Sequence, residues 1–595
     1  MWPGHGDPMT SLRHTVRLDG TVLPPRELIG GKAWSVARMC SLGLSVPPAF
    51  VITTETCRRY FEDGGGMPAG LMDEVMAGMA WIEQATGRRF GGGERPLLVS
   101  VRSGAPVSMP GMMDTVLNLG IDDHTELALA RETGSPAFAR DTHRRFCEMF
   151  ARIVLRTTIE ELDPAASPVE WRAAIAARGC GDVPADPLAQ LEAAIRAVFE
   201  SWNGRRARKY RQHNGIPDAM GTAVTVQAMV FGNSDGQSGT GVLFSRNPLT
   251  GEPVPYGEYL VSAQGEDVVS GSHTPEGLDA LGRQLPEVQR ELLAACAVLE
   301  RENGDVQDIE FTVERGRLYL LQSRAAKRSP AAALRCAVDM VREGRIDPGE
   351  ALSRVSAEQV RMLLRPHLPP GFGPSSATVL ATGEAASPGV GAGVVVTTPD
   401  EAERLHGQGH AVILARPTTS PEDVHGMLVA VGIVTEKGGS TSHAAVVSRQ
   451  LGVPCVVGCG EGSLAALPGR TVTVDGTGGR VFDGALPVEQ PSEDSDPGLA
   501  ALLDWAKAAA PLRVLRVGSE LPPGTRDLDG LEGGEDPDRT SALLVGARGA
   551  AGSVLNTCAG VQAAVAAGLE FIVVRDVLPA LLAACAARRQ MAVAA

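Results

Sequence analysis

The stretch Gly438-Gly439-Ser440-Thr441-Ser442-His443-Ala444-Ala445-Val446-Val447 constrains this chain more than any other. The strand-like run Ala430 to Thr435 comes before it, and the helix-like run Ala444 to Leu451 follows. A strand, a glycine turn and hydroxyl residues opening a helix place one imidazole at an exposed corner, where a nucleophile is useful. Backbone N–H groups and the positive end of the helix favour an anion there. His443 therefore reads as a residue that carries a phosphoryl group. A histidine that merely sits near a helix start is the ordinary reading of such a turn, so the rest of the chain has to decide.

A chain of 595 residues is long enough for three or four separate cores. The net charge of −15 argues against an extended nucleic-acid surface, which needs clustered Lys and Arg. A phosphate pocket is still compatible, because two or three cations suffice for it. No apolar leader begins the chain, and no uncharged run reaches the roughly 20 residues needed to cross a bilayer. The ten cysteines lack paired zinc spacing. The closest pair, Cys455 and Cys459, reads as buried structural thiols. These features point to a cytoplasmic protein with reduced thiols, no nucleic-acid partner and no membrane.

Along the chain, Gly30-Gly31-Lys32 opens a helix running to about Leu42. The strand Leu97 to Val101 leads through a Gly/Ser/Met/Pro loop to a second strand, Thr115 to Leu119. Residues 125–215 follow a helical pattern. Strands are expected at Val224 to Val230, Gly239 to Phe244, Tyr259 to Ala263, Ile309 to Val313 and Leu318 to Gln322. Helices follow at Ala331 to Glu343, Glu350 to Val355 and Ala357 to Leu364. A proline-rich piece, Arg365 to Pro374, has the composition of a hinge. Residues 376–487 form a compact α/β unit, and Pro491 to Pro497 is an acidic connection. Strands at Leu512 to Val517, Ser541 to Val545 and Phe571 to Val574 complete the tail.

Three clusters carry phosphate or metal chemistry. Lys32 follows two glycines at a helix start, a good position for an ammonium over a phosphate. Arg102 heads the loop Arg102 to Thr115, which is rich in backbone donors and could close over a polyphosphate. On one strand Asp308 and Glu310 face the same way, so two hard oxygen ligands converge. With nucleotide phosphates they make a magnesium site, and Arg324, after Gln322 and Ser323, would neutralise charge opposite them. The ordinary readings are a common turn, a surface loop and a solvated hairpin.

Together these segments resemble the pyruvate phosphate dikinase family. The resemblance is carried by Gly30-Gly31-Lys32, Ser100 to Thr115, Val224 to Asn233, Gly239 to Pro248, Gly257 to Leu260, Ala263 to Val269, Asp308 to Thr312 and Gly438 to Val447, the last preceded by Thr419 to Asp423. It covers roughly residues 20–487. It implies an α/β and α+β multidomain protein. An ATP-grasp nucleotide domain (20–327, with a helical insertion at about 125–215) and a helical linker (328–375) would precede a swivelling phosphohistidine domain (376–487). A short α/β module (499–595) would come last.

By the same match, Lys32, Arg102, Gln227 and Met229 contact ATP. Asp308, Glu310 and Gln322 hold Mg²⁺ and nucleotide, and Arg324 holds the phosphates. In catalysis Arg102 and Arg324 serve the transferred phosphates, and Thr441 orients the ring. The resemblance implies that His443 would attack the β-phosphate of ATP, and that inorganic phosphate would then take the terminal phosphoryl group, leaving as pyrophosphate.

The family's last domain is a (β/α)₈ barrel of about 250 residues, which residues 499–595 are too few to build. Leu515 also stands where the family has a substrate-binding arginine. A complete pyruvate site is therefore not expected on this chain. The acceptor would be pyruvate through a separate barrel protein, or another small molecule, and a homodimer is left open. A non-catalytic nucleotide-binding regulator or scaffold is the reading from a different class.

Overall fold

The computed structural model describes residues 14–594 except 108, 110–113, 270–274, 365–367, 369–376, 487–490, 495, 532 and 535. Most of the hinge expected at Arg365 to Pro374 and most of the Ser108 to Met113 loop lie outside the described residues.

The N-terminal half is built from two antiparallel five-stranded sheets. In the first, the strands lie in the order Thr15–Arg17, Ala49–Ile52, Ala223–Ala228, Val99–Gly104, Thr115–Leu119. The sheet thus begins before residue 20. One face is apolar and packs under the helices of residues 123–213, in a core that includes Val99, Val101, Val224, Val226, Phe146 and Trp171. The second sheet runs Glu276–Gly277, Tyr256–Val261, Gly239–Phe244, Gln307–Glu314, Arg317–Ala325. Strand alternation sorts its residues. Ile309, Phe311 and Val313 enter a core with the helices Arg26–Ser41 and Pro286–Asn303, and Asp308, Glu310 and Thr312 are left for the opposite face. Helix Arg26–Ser41 is interrupted at Gly30, whose φ is 75°. A Cβ there would lie 1.8 Å from the Gly104 carbonyl oxygen, so only glycine lets the helix approach that strand.

Residues 377–486 contain an eight-stranded sheet whose centre is parallel: Val390–Val396, Val412–Arg416, Gly432–Thr435, Cys455–Val457. The carboxyl ends of these strands converge on the Gly438–His443 turn. Cys455 and Cys459 are free thiols that burial pushes up to about 12, consistent with a structural role.

The tail folds as a four-stranded parallel sheet, in the order Arg513–Arg516, Phe571–Val574, Gly549–Ala551, Thr525–Asp527. The strand expected at Ser541 to Val545 is not formed, because Pro537–Leu543 is a helix. Gly549–Ala551 takes the place in the sheet instead, since a Cβ on Gly549 would lie 2.2 Å from the Phe571 ring. A bulkier run could not pack there. The helices Pro330–Arg342, Pro348–Arg354 and Ala357–Leu363 are more than a connection. Leu334, Val338, Leu352, Val355 and Val360 share one apolar core with Leu499, Leu502, Leu555, Ile572 and Leu581 of the tail.

No helix among the described residues is long and apolar enough to cross a membrane.

Candidate functional site

A cleft of about 280 Å³ opens between the two N-terminal sheets. Leu117, Met229, Val230, Val268 and Leu321 line one part of it, a setting that suits a flat apolar ring. Arg102 and Glu310 line another. Gln227 is in the wall, and its amide donates to the Pro47 carbonyl at 3.2 Å.

The charged end of the cleft follows from strand register. Asp308 pairs with Arg324 and Glu310 with Gln322 across an antiparallel ladder, so the four side chains share a face. Arg324 Nε donates to Asp308 Oδ2 at 2.8 Å, and Arg102 Nη2 lies 3.5 Å from Glu310 Oε2. Burial alone would raise the Glu310 carboxyl, but Arg102, Arg324 and Lys32 outweigh it and hold Glu310 below its ordinary value. Burial does raise the Asp308 carboxyl, against the pull of Arg324. Lys32 completes the group: desolvation and then the charge of Arg102 bring its ammonium down to about 7, with Glu310 opposing. Three cationic side chains gathered around one acidic pair at the end of a cleft suit the binding of a polyphosphate.

No group of three or more His, Cys, Asp or Glu among the described residues could hold a metal. Even so, Asp308 Oδ1 is buried without a hydrogen-bond partner and Glu310 faces the same way. These hard oxygens fit a divalent cation that takes its remaining ligands from a nucleotide and water. Gln322, directly across from Glu310, adds an amide to this set.

His443 begins the helix His443–Leu451. Burial pushes its imidazole below the ordinary histidine range, against the nearby Asp423 carboxylate and a hydrogen bond with the Ser420 backbone. The ring is therefore neutral near pH 7, and its Nε2 is buried with no partner.

The turn before the histidine docks on the nucleotide half. Ser440 Oγ donates to Glu258 Oε1 at 2.9 Å, and Thr441 Oγ1 donates to Glu258 Oε2. Tyr256 hydrogen bonds both Ser440 Oγ, at 2.6 Å, and Glu384 Oε1, at 2.9 Å. Glu258, Val242, Glu310 and Gln322 occupy one row across the second sheet, and Tyr256, Phe244, Asp308 and Arg324 the next. The histidine turn therefore contacts the same sheet face that carries the acidic pair. Burial raises the Glu258 carboxyl, against the hydrogen bonds it accepts from Thr441 and Ser440.

The structure thus brings Lys32, Arg102, Asp308, Glu310, Gln322 and Arg324 to one end of a cleft that Gln227 and Met229 help to wall. Thr441 is nearby, but its hydroxyl is spent on Glu258. Sequence reasoning assigned no role to Tyr256, Glu258 or Glu384. The signal available was period-two alternation, which puts Tyr256 and Glu258 on one face; their partners lie far away in sequence.

Comparison with known proteins places these features in a family. The profile described as "Pyruvate phosphate dikinase, AMP/ATP-binding domain" matches residues 26–79 and 65–292. The one described as "PEP-utilising enzyme, mobile domain" matches residues 408–479. Lys32, Arg102, Gln227 and Met229 fall within the first range and His443 within the second, whereas Asp308 to Arg324 lie outside both.

Pyruvate, phosphate dikinase 1 of Zea mays is 45% identical over 527 residues, covering 82% of this chain and 55% of that protein. Pyruvate, phosphate dikinase of Rhizobium meliloti is 43% identical over 547 residues, covering 84% and 60%. A chloroplastic relative in Arabidopsis thaliana is 43% identical, covering 82% and 54%. The chain thus spans between half and two thirds of the length of these curated relatives.

Proposed function

The chain belongs to the pyruvate phosphate dikinase family, and from that premise we propose that it uses ATP and inorganic phosphate to charge His443. The neutral imidazole attacks the β-phosphorus of ATP through Nε2, the bond from that phosphorus to the α-β bridging oxygen breaks, and AMP leaves. Inorganic phosphate then attacks the terminal phosphorus of the histidine-bound pyrophosphoryl group. Pyrophosphate departs, and one phosphoryl group stays on the ring.

The observation that carries this reading is the row register. It puts the docked histidine turn and the Asp308–Glu310 pair on one sheet face, with Lys32, Arg102 and Arg324 around that pair. Lys32 and Arg102 bind and orient the polyphosphate, and Arg324 offsets charge on it. Asp308, Glu310 and Gln322 would hold Mg²⁺, which when bound neutralises phosphate charge. Glu258 and Tyr256 position the turn that bears the nucleophile. The phosphoryl acceptor is pyruvate on a separate barrel protein, or another small molecule. The cytoplasm is the proposed compartment.

The test is AMP release from ATP that depends on both magnesium and phosphate and is lost in His443→Ala. Nucleotide binding without AMP release would instead support the regulator reading.

A further inference from the structure

Four hydroxyls surround the histidine turn, and they divide into two kinds. Those of Ser440 and Thr441 are committed to Glu258 across the docking seam. Those of Thr419 and Ser442 are not committed at all: each side chain is more than nine-tenths buried, and Thr419 Oγ1 and Ser442 Oγ have no hydrogen-bond partner. His443 Nε2 is likewise buried without a partner. An unpaired buried hydroxyl costs about 1–3 kcal/mol, and native proteins rarely carry such groups without a reason.

Both hydroxyls are tied to the imidazole by chain geometry. Ser442 immediately precedes His443 and occupies the N-cap position of its helix. A serine there ordinarily accepts from the first-turn N–H groups. This one does not. Its Oγ instead lies against Gly438, where an added Cβ would come within 3.1 Å of it. The helix start is therefore left without a side-chain cap beside the nucleophile, which leaves positive character available to an anion.

Thr419 immediately precedes Ser420, whose backbone hydrogen bonds the His443 ring. That segment is firmly anchored. Asp423, 2% exposed, accepts from the Ser420 N–H at 2.7 Å, and its other oxygen lies 3.2 Å from Arg416 Nε. The carboxyl end of strand Val412–Arg416 thus anchors the segment that reaches the imidazole through Ser420, and no hydrogen bond in the described protein satisfies the hydroxyl of the preceding Thr419.

We propose that Thr419 and Ser442 are binding residues for the phosphoryl group on His443 Nε2, each donating its hydroxyl to a phosphoryl oxygen that the uncharged protein lacks. The proposal deepens the reading that His443 carries phosphate, and it rests on that reading.

The experiment charges the full-length protein with phosphoramidate, which transfers its phosphoryl group to the ring nitrogen and releases ammonia, so no nucleotide is needed. The lifetime of the acid-labile adduct and its ³¹P chemical shift are then compared in wild type, Thr419→Val, Thr419→Ser and the blank His443→Ala. The expected result is an adduct that decays about 5- to 10-fold faster in Thr419→Val, as loss of one hydrogen bond predicts, with a shifted ³¹P resonance. Thr419→Ser should stay within about twofold of wild type. The thermal midpoint of Thr419→Val should be unchanged or higher, because valine fills the same volume without an unpaired hydroxyl; a merely structural threonine would lower it.

Equal lifetimes and equal shifts in wild type and Thr419→Val overturn the proposal, as does a wild type that takes no phosphoryl group on His443. A parallel arm with ATP separates the two claims. If ATP fails to charge the protein while the phosphoramidate adduct still depends on Thr419, the nucleotide reading falls and the hydroxyl cradle stands.

Discussion

The phosphohistidine unit and the C-terminal module are both held to the rest of the chain, by different means. The turn bearing His443 meets the nucleotide half through carboxylates and hydroxyls: Glu258 with Ser440 and Thr441, Glu384 with Tyr256. The tail meets the helices Pro330–Leu363 through a continuous apolar core. Water can replace each hydrogen bond of the first seam when it opens, so its net strength is modest. Opening the second would expose buried leucines and valines at roughly 25 cal/mol per Å². The difference teaches which joint is the weaker. The seam of the histidine unit is polar and hydrogen-bonded, whereas the tail and the helices of residues 330–363 share one apolar core.

The comparison can be broken at either seam or at the cleft. The largest effect belongs to the cleft: Lys32→Met or Asp308→Asn should lower ATP-dependent charging of His443 by more than about 100-fold, while leaving phosphoramidate charging untouched. Rapid-quench assays of both reactions check this. Next comes the shared core. Leu502→Ala empties a fully buried position and should cost about 2–5 kcal/mol. Hydrogen exchange should show residues 330–363 and 497–594 losing protection together; loss confined to the tail would mean that the core is not shared.

The docking seam is expected to be weaker. Glu258→Ala removes an acceptor of two hydrogen bonds and should slow charging by ATP about 10- to 100-fold with little change in thermal stability. A drop in stability as large as that of Leu502→Ala would erase the distinction between the two seams.

The smallest effect is a proton. Because Lys32 sits near 7, below its ordinary 10.5, it is mostly neutral at pH 8, and a bound polyphosphate restores its charge. ATP binding should therefore take up close to one proton at pH 8 and almost none at pH 6, measured by calorimetry in buffers of different ionisation enthalpy. For stability the sign is fixed as well. The buried cation's cost is fully present below the folded value of about 7, so stability of the nucleotide-free protein rises between pH 7 and the unfolded value. Lys32→Met should abolish both dependences.

The acidic pair and its basic partners were legible in the sequence because strand alternation and ladder register are local rules, and Asp308, Glu310, Gln322 and Arg324 obey them. The glycine turn before His443 was legible for the same reason. Glu258 and Tyr256 were not, because their partners Ser440 and Glu384 lie well over a hundred residues away and no spacing encodes that contact. The contact of Thr441 was not legible for the same reason: the resemblance implies a role at the ring, and its hydroxyl here bonds Glu258, which lies far away in sequence. The tail misled through composition. Ser541 to Val545 looks like a strand, but Pro537 starts a helix, and the small residues Gly549–Ala551 fit against Phe571 where a branched run would not.

The central claim is that ATP charges His443 through its β-phosphate. The direct measurement supplies ATP labelled at the β or the γ phosphorus, together with magnesium and phosphate, and locates the label. Acid-labile β-label on His443, γ-label in pyrophosphate and AMP in equal amount are the predicted result. γ-Label on the protein without β-label, ADP as the product, or equal labelling of His443→Ala would contradict it.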